Sequence, residues 1–248
     1  MKILFFLPLL AFGGLQDLKY TVYTESFPPY NFQDAGVVGG ISTEMIRLMF
    51  EKLKLPAPKI TLTGWSESYE KTIHNQTPDV VILYSILRLQ ERENMFKWVG
   101  PIAPFTFNLI GLVESDKKIS ELDDAKRFTT AVIKDDFAEL FLLKNGFKLN
   151  QNLYRIPEKH EQAIERLYQG KVDFVAMAYL NAVHIARRTG HDSKQLKVYW
   201  QKDEFPFTGL FMAFSRNTPD AVIQAFADVL AQIKTSGEYV TILNKYFP

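Results

Sequence analysis

The sequence predicts an α/β protein arranged as two lobes, and three observations lead there. Segments with the pattern of strands alternate almost throughout with segments of helical period, as largely parallel sheets joined by helical crossovers require. The alternation pauses at Pro101 and Pro104 and then begins again. At 248 residues the chain can bury one large core or two smaller ones, and the two runs are each about 100 residues long.

In order along the chain, Lys19 to Thr24 reads as a strand. Phe27-Pro28-Pro29-Tyr30 reads as a rigid turn, because two prolines fix φ and donate no backbone hydrogen. After Gly39-Gly40, residues Ile41, Met45, Leu48, Met49 and Leu53 share one helical face, with Ser42 or Thr43 expected as the N-cap and Glu44 in the first turn. Lys59 to Leu62 is a short strand, and Trp65, Tyr69 and Ile73 mark a second helix. Asp79 to Tyr84 is apolar enough for a strand buried on both faces. A third helix is expected from near Arg88.

The second run opens with strands at Phe107 to Val113 and Phe128 to Ile133, then a helix from Asp136 to Lys144 that Gly146 ends. A helix at His160 to Gln169 closes at Gly170, Val172 to Met177 is a strand, Leu180 to Arg188 a helix, and Leu196 to Trp200 a strand. Gly209 to Ser215 follows as a strand and Pro219 to Ser236 as a long helix. Its inward face carries Val222, Ile223, Phe226, Val229, Leu230 and Ile233. Beyond Gly237 a short helix carries Tyr239, Ile242, Leu243 and Tyr246.

Composition excludes several classes of function. Lys and Arg total 29 against 28 Asp and Glu, so no whole-chain field favours nucleic acid. The chain has no Cys, which removes disulfides, thiol nucleophiles, thiolate metal sites and attachment of a lipid through cysteine. The four His residues, at 74, 160, 184 and 191, stand in no zinc-binding spacing. There is no P-loop, no G-x-S-x-G and no G-x-G-x-x-G, so neither metal nor cofactor is expected. Aromatic residues make up 14% of the chain and can line a binding cleft.

Met1-Lys2 precedes an apolar run from Ile3 to Phe12, the length of a signal peptide and too short to span a membrane. Ala11 and Gly13 suit cleavage after Gly13 or Gly14, so residues 1–14 are expected to be removed on export to the periplasm. Lys2 would leave with them, so 28 basic residues would face 28 acidic ones. No later stretch reaches the ~18 apolar residues of a membrane helix.

The stretch from Leu87 to Pro101 is the most specific. A buried strand ends in Tyr84-Ser85, and charged residues follow at Arg88, Glu91, Arg92 and Glu93. Ligands in open α/β sheets sit beyond the carboxyl ends of strands, and an Arg on that rim offers a planar fork matched to a carboxylate. The pattern resembles the family 3 periplasmic solute-binding proteins of amino-acid ABC transporters. The likeness rests on Phe27-Pro28-Pro29-Tyr30, Phe32, Gly39-Gly40-Ile41, Ser85, Leu89-Gln90-Glu91-Arg92, Trp98, Pro101, Gly170-Lys171-Val172-Asp173, Gly237, Tyr239 and Lys245-Tyr246-Phe247.

The resemblance implies a type II periplasmic binding fold: a two-lobe clamp, each lobe a mostly parallel sheet with flanking helices, with hinge crossovers near Pro104 and Phe205-Pro206-Phe207. Lobe one would span 15–104 plus 207–248 and lobe two 105–206. A small polar ligand, amino-acid-like or carboxylate-bearing, would bind in the cleft of a monomer and pass to an ABC permease. Arg92 aligns with the carboxylate-binding Arg of the family; its plain alternative is a surface ion pair with Glu91 or Glu93, and Arg88 is the fallback. Phe27, Tyr30 and Trp65 are expected as apolar walls or as core, and Ser85 as a hydroxyl donor or a structural cap. Glu25 can receive a cation, and Asp136 is most simply an N-cap worth about 1 kcal/mol. The sequence departs from the family at Leu89, where a Thr is usual, and at Ala178, where the ammonium-binding Asp would stand. Glu25 or Tyr179 would have to replace that Asp, or the ligand differs. Two further readings remain: an enzyme on the same scaffold resembling cyclohexadienyl dehydratases, and a periplasmic sensor module.

Overall fold

A computed structural model describes residues 14–114, 116–134, 136–157, 160–202 and 209–246. The expected leader at 1–13, the second crossing at Phe205-Pro206-Phe207, and Phe247 lie outside them. The elements in chain order are β1 (Tyr20–Thr24), β2 (Phe32–Asp34), β3 (Val37–Gly39), α1 (Ile41–Lys52), β4 (Ile60–Leu62), α2 (Trp65–Ile73), β5 (Val80–Leu87), β6 (Lys97–Ala103) and β7 (Phe107–Leu112). Then come β8 (Thr130–Ile133), α3 (Phe137–Lys144), β9 (Leu153–Ile156), α4 (His160–Tyr168), β10 (Phe174–Met177), α5 (Tyr179–Arg188), β11 (Leu196–Lys202), β12 (Leu210–Phe214), α6 (Asp220–Thr235) and α7 (Glu238–Tyr246).

Two five-stranded sheets form the two lobes, ordered β4-β1-β5-β12-β6 and β11-β7-β10-β8-β9. The first sheet takes β12 from beyond the whole of the second, so its chain is discontinuous. Within each sheet two pairings are parallel and two antiparallel. The antiparallel ones involve β7, which enters its sheet by crossing from the other lobe at Pro104–Thr106, and β12, which returns from it. The first core lies between its sheet and α1, α6 and α7, with Val22, Ile82, Met45 and Phe226 fully buried. The second sheet is covered by α4 and α5 on one face and α3 on the other.

Two local features shape the first lobe. Along β5, Ile82 and Tyr84 face the α1/α6 core and Leu83 faces Phe96, yet beyond Ser85 the order inverts, with Ile86 beside Phe96 and Leu87 in the α1/α6 core. Opposite them Phe211 pairs with Ile86 and Met212 with Tyr84, so Ser85 is the extra residue of a bulge, held at φ 65°. The second feature is the start of α1. Its N-cap is Gly40, not the expected Ser42 or Thr43, and both of those are buried within the first turn. The amides of Ile41 and Ser42 donate to the carbonyls of Pro29 (3.0 Å) and Tyr30 (2.9 Å), so backbone and not a hydroxyl satisfies the helix end. This ties the proline turn to the helix.

Other elements also differ from the sequence reading. The chain after Arg88 makes only a single 3-10 turn at Gln90–Arg92, because Arg88 pairs with Glu93 five residues on, off helical spacing, and β6 begins at Lys97. β6 holds Pro101 and was not expected as a strand; it is the edge of its sheet, where a missing N–H is tolerated. β9 and the β2–β3 hairpin were not expected either. β9 is also an edge strand, with only its two end residues buried and no alternation to read.

Gly40 has φ 110°, and a Cβ there would stand 2.5 Å from the Tyr30 carbonyl oxygen and 2.6 Å from that of Pro29. Gly40→Ala is expected to destabilise the protein by about 2–3 kcal/mol through strain and overlap, measured by urea unfolding. Gly36→Ala, also at positive φ but in open space, is expected to cost less.

Candidate functional site

The carboxyl ends of parallel strands converge on the space between the lobes, as the general rule for such sheets requires. Glu25 follows β1, Trp65 opens the helix after β4, and Arg92 lies after β5. From the other lobe come Asp136 after β8 and His160 after β9. The lobes touch around the proline turn. The Asn181 side chain of α5 donates a hydrogen bond to the Pro28 carbonyl, and Phe27 lies 6.0 Å from the His160 ring and 6.3 Å from Phe105.

Glu25 is positioned by its own backbone. Its carbonyl accepts from the Asn31 amide side chain at 2.5 Å, while the Phe27 amide donates to the Asn31 carbonyl at 2.6 Å, closing the turn. The Arg92 guanidinium stands 5.0 Å from the Trp65 ring and 5.6 Å from Tyr69, and donates to the Leu87 carbonyl at 3.3 Å. Among the described residues it makes no ion pair, so the alternative of a surface bridge to Glu91 or Glu93 does not form. Arg88 takes Glu93 instead, at 2.8 Å from its Nε, and leans on Trp98 and Phe211, each 5.8 Å away.

The electrostatics follow from burial. Glu25 is pushed up to about 7 by loss of water, and the Arg92 charge pulls it back only in part. Asp136 is also pushed up to about 7 by burial; the amide of Glu139, donating at 2.8 Å, opposes this, while Glu25 and Glu139 add to it. The two carboxyls thus repel across the interlobe space. Burial lowers His160 to about 4, so it is a neutral imidazole at pH 7. Arg92 is lowered by burial, but its intrinsic value keeps it a cation.

The remaining expected residues divide between the interlobe space and other surroundings. Asp136 is the N-cap of α3, as expected, while its neighbour Asp135 lies outside the described residues. Ser85 is 6% exposed and its hydroxyl has no hydrogen-bond partner among the described residues. Ala178 is buried against the core of the first lobe, far from any role as a charge partner. Tyr30 and Tyr179 line a different space, a groove of about 920 Å³ beside Pro104–Thr106 to which Glu25, Phe27, Trp65, Ser85, Arg92 and Asp136 do not contribute. His160 and Tyr69 were not identified from sequence as site residues. His160 carried the same signal as Arg92, a position just beyond the carboxyl end of a strand, but β9 itself was not legible.

Among the described residues no cluster of three or more His, Asp or Glu is placed to hold a metal ion, and no helix is long and apolar enough to cross a membrane.

The family model for bacterial extracellular solute-binding proteins, family 3, matches residues 20–248. A search among curated proteins finds no match. Among solved structures the chain is similar to an ancestral arginine-binding protein bound to arginine, at 18% identity over 92% of this chain and 98% of that one, with a TM-score of 0.74. It is similar to a structure from work on glutathione import through GshT and the cystine importer TcyBC of Streptococcus mutans, at 19% identity, 92% and 95% coverage and a TM-score of 0.76. A histidine kinase sensor domain similar to periplasmic binding proteins matches at 19% identity over 92% and 96%, with a TM-score of 0.71. With a two-lobe α/β architecture and a family match over nearly its whole length, the chain belongs to the bacterial extracellular solute-binding proteins, family 3.

Proposed function

We propose that the protein captures a small ligand bearing a carboxylate and a cationic group in the interlobe cleft, outside the cytoplasm, and hands it to an ABC permease. The observation that supports this reading is the charge layout: among the described residues Arg92, Glu25 and Asp136 make no ion pair, Arg92 and Glu25 attract each other only at longer range, and the two acids approach from opposite lobes. Burying charge unpaired is costly, and a zwitterionic guest supplies both missing partners at once. Arg92 receives the carboxylate in a bidentate contact over Trp65 and Tyr69. Glu25 and Asp136 receive an ammonium or guanidinium, taking the part left vacant by Ala178, and Phe27 and neutral His160 pack against the body of the guest. The arginine-bound neighbour of the same fold is consistent with such a ligand. A leader peptide cleaved after Gly13 or Gly14 provides export, and closure of the lobes about Pro104 buries the guest.

A thermal-shift screen over amino acids, small carboxylates, polyamines and aromatic acids tests the class. A ligand at 100 times its Kd adds about 2.7 kcal/mol. Stabilisation by polyamines that survives Arg92→Ala would overturn the carboxylate half of the reading.

Arg92→Ala is expected to abolish ligand-induced stabilisation while leaving the apo Tm within a few degrees, a loss of about 2–5 kcal/mol in binding. Arg92→Lys keeps the charge and loses the fork, so it is expected to recover only a minor part. Calorimetric titration of both variants checks this.

The cation half predicts a pH dependence. Glu25 and Asp136 ionise near 7 in the protein, above the ordinary carboxylate range, and a cationic guest binds their ionised forms. Affinity is therefore expected to be fully present above about pH 8, to fall as pH drops through 7, and to be accompanied by proton release on binding near pH 7. Glu25→Gln is expected to flatten the profile. A profile that is flat in the wild type would count against both acids as cation partners.

A further inference from the structure

We infer that the groove beside Pro104–Thr106 is a second binding site, for a small organic anion with an apolar or aromatic body. It has a volume of about 920 Å³, within the range of small-molecule sites, and none of the described residues lining it is acidic. Four cations line it: Arg187 and Arg188 at the end of α5, Lys194 just beyond, and Lys245 in α7. Two are already neutralised, Arg188 by Glu161 and Lys245 by Glu44 at 2.6 Å. Among the described residues Arg187 donates only its Nε, to the Ser193 hydroxyl at 3.1 Å, which orients the guanidinium and leaves its terminal nitrogens to a guest. Lys194 is exposed and makes no side-chain contact with an acid among the described residues. The floor is apolar and aromatic, with Pro29, Tyr30 and Tyr179, and Val183 between them and the cations.

His184 sharpens the assignment. Its ring lies 5.0 Å from Phe32, and its Nε2 is buried with no hydrogen-bond partner. Burial and the neighbouring Arg188 and Arg187 hold it below the ordinary histidine value, with Glu161 opposing. An anion seated on Arg187 would offset those charges, and the imidazole would report it. Because Tyr30, Lys245 and Tyr246 belong to the first lobe and Tyr179, His184 and Arg187 to the second, an occupant of the groove touches both and favours this relative arrangement of the lobes.

Phenyl phosphate is the probe, with phenol as its uncharged counterpart. Isothermal titration is expected to give a Kd below about 1 mM for phenyl phosphate and no binding of phenol. Arg92→Ala, which disables the cleft, is expected to bind the probe as the wild type does. The double charge reversal Arg187→Glu and Lys194→Glu, at two exposed positions, is expected to weaken binding at least about tenfold. In the wild type the His184 nitrogen resonances, assigned by comparison with His184→Gln, are expected to move on addition of the probe, and the titration midpoint of the ring to rise. Absence of binding at millimolar probe, loss of binding in Arg92→Ala, unchanged binding in the double reversal, or a silent His184 would each overturn the site.

Discussion

Glu25, Asp136 and Arg92 meet in the space between two sheets, with no direct ion pair among them, and most of the local structure exists to keep them there. A charge taken out of water without a partner loses several kcal/mol of solvation, which proteins avoid by pairing the group or by neutralising it. The two acids take the second course, with their protonation moved to near pH 7. Arg92 cannot, because a guanidinium does not release its proton under these conditions. It is kept by the π faces of Trp65 and Tyr69 and by the Leu87 carbonyl, interactions that satisfy a cation in part and leave its fork open to an oxyanion.

The fold delivers those groups by one geometric device used in both lobes. Each side chain stands just past the carboxyl end of a parallel strand, where the backbone stops pairing and a side chain can point into the open end of the sheet. The first lobe needs two further adjustments. The Ser85 bulge inverts the facing of the last residues of β5, so that Leu87 returns to the core and its carbonyl comes within reach of Arg92. The absence of a Cβ at Gly40 lets α1 dock its amides directly on Pro29 and Tyr30, which holds Phe27 and the backbone of Glu25 at the lobe junction.

How much of this was legible depends on where each residue gets its information. Arg92 follows the wholly buried apolar strand β5, and Trp65 and Glu25 follow short strands whose β-branched and aromatic residues mark them, so their places beyond β5, β4 and β1 could be read directly. The family resemblance includes Arg92 but rests on motifs spread from Phe27 to the C-terminal helix. His160 follows β9, an edge strand whose central residues Tyr154 and Arg155 are exposed, so neither the strand nor its rim position had a pattern to announce it. Tyr30 and Tyr179 show a different limit: a sequence says that an aromatic lies at a turn or helix start, but which side of the turn it faces is decided by packing. Phe27 and Tyr30 are three residues apart with rings 5.0 Å from each other, yet one lies against His160 while the other is buried in the first-lobe core at the edge of the groove. The missing helix after Arg88 has a related cause. Arg88 and Glu93 are as compatible with an exposed helix as with an ion pair across a tight turn, and the strand that decides between them, β6, contains a proline that disguises it.

The unequal titration of the three charged groups gives the cleft a sign that depends on pH. Above about pH 8 two carboxylates and one guanidinium leave it net negative; with both acids protonated it is net positive. The Arg92 charge does not change over this range, whereas the acid pair is charged only when ionised. Asp136 is further constrained because it caps α3: its carboxyl accepts from the Glu139 amide, and behind it the buried Glu139 is paired with Arg155. Moving the Asp136 side chain off the helix end would cost the cap about 1 kcal/mol, so in the proposed binding mode a guest would approach Asp136 where it stands. Glu25, hydrogen-bonded among the described residues only through its backbone carbonyl, has the freer side chain of the two. In the binding mode proposed above, the carboxylate end of a guest would thus be held by a permanent charge and its cationic end by a conditional one, with Glu25 as the part that can adapt to different cationic groups.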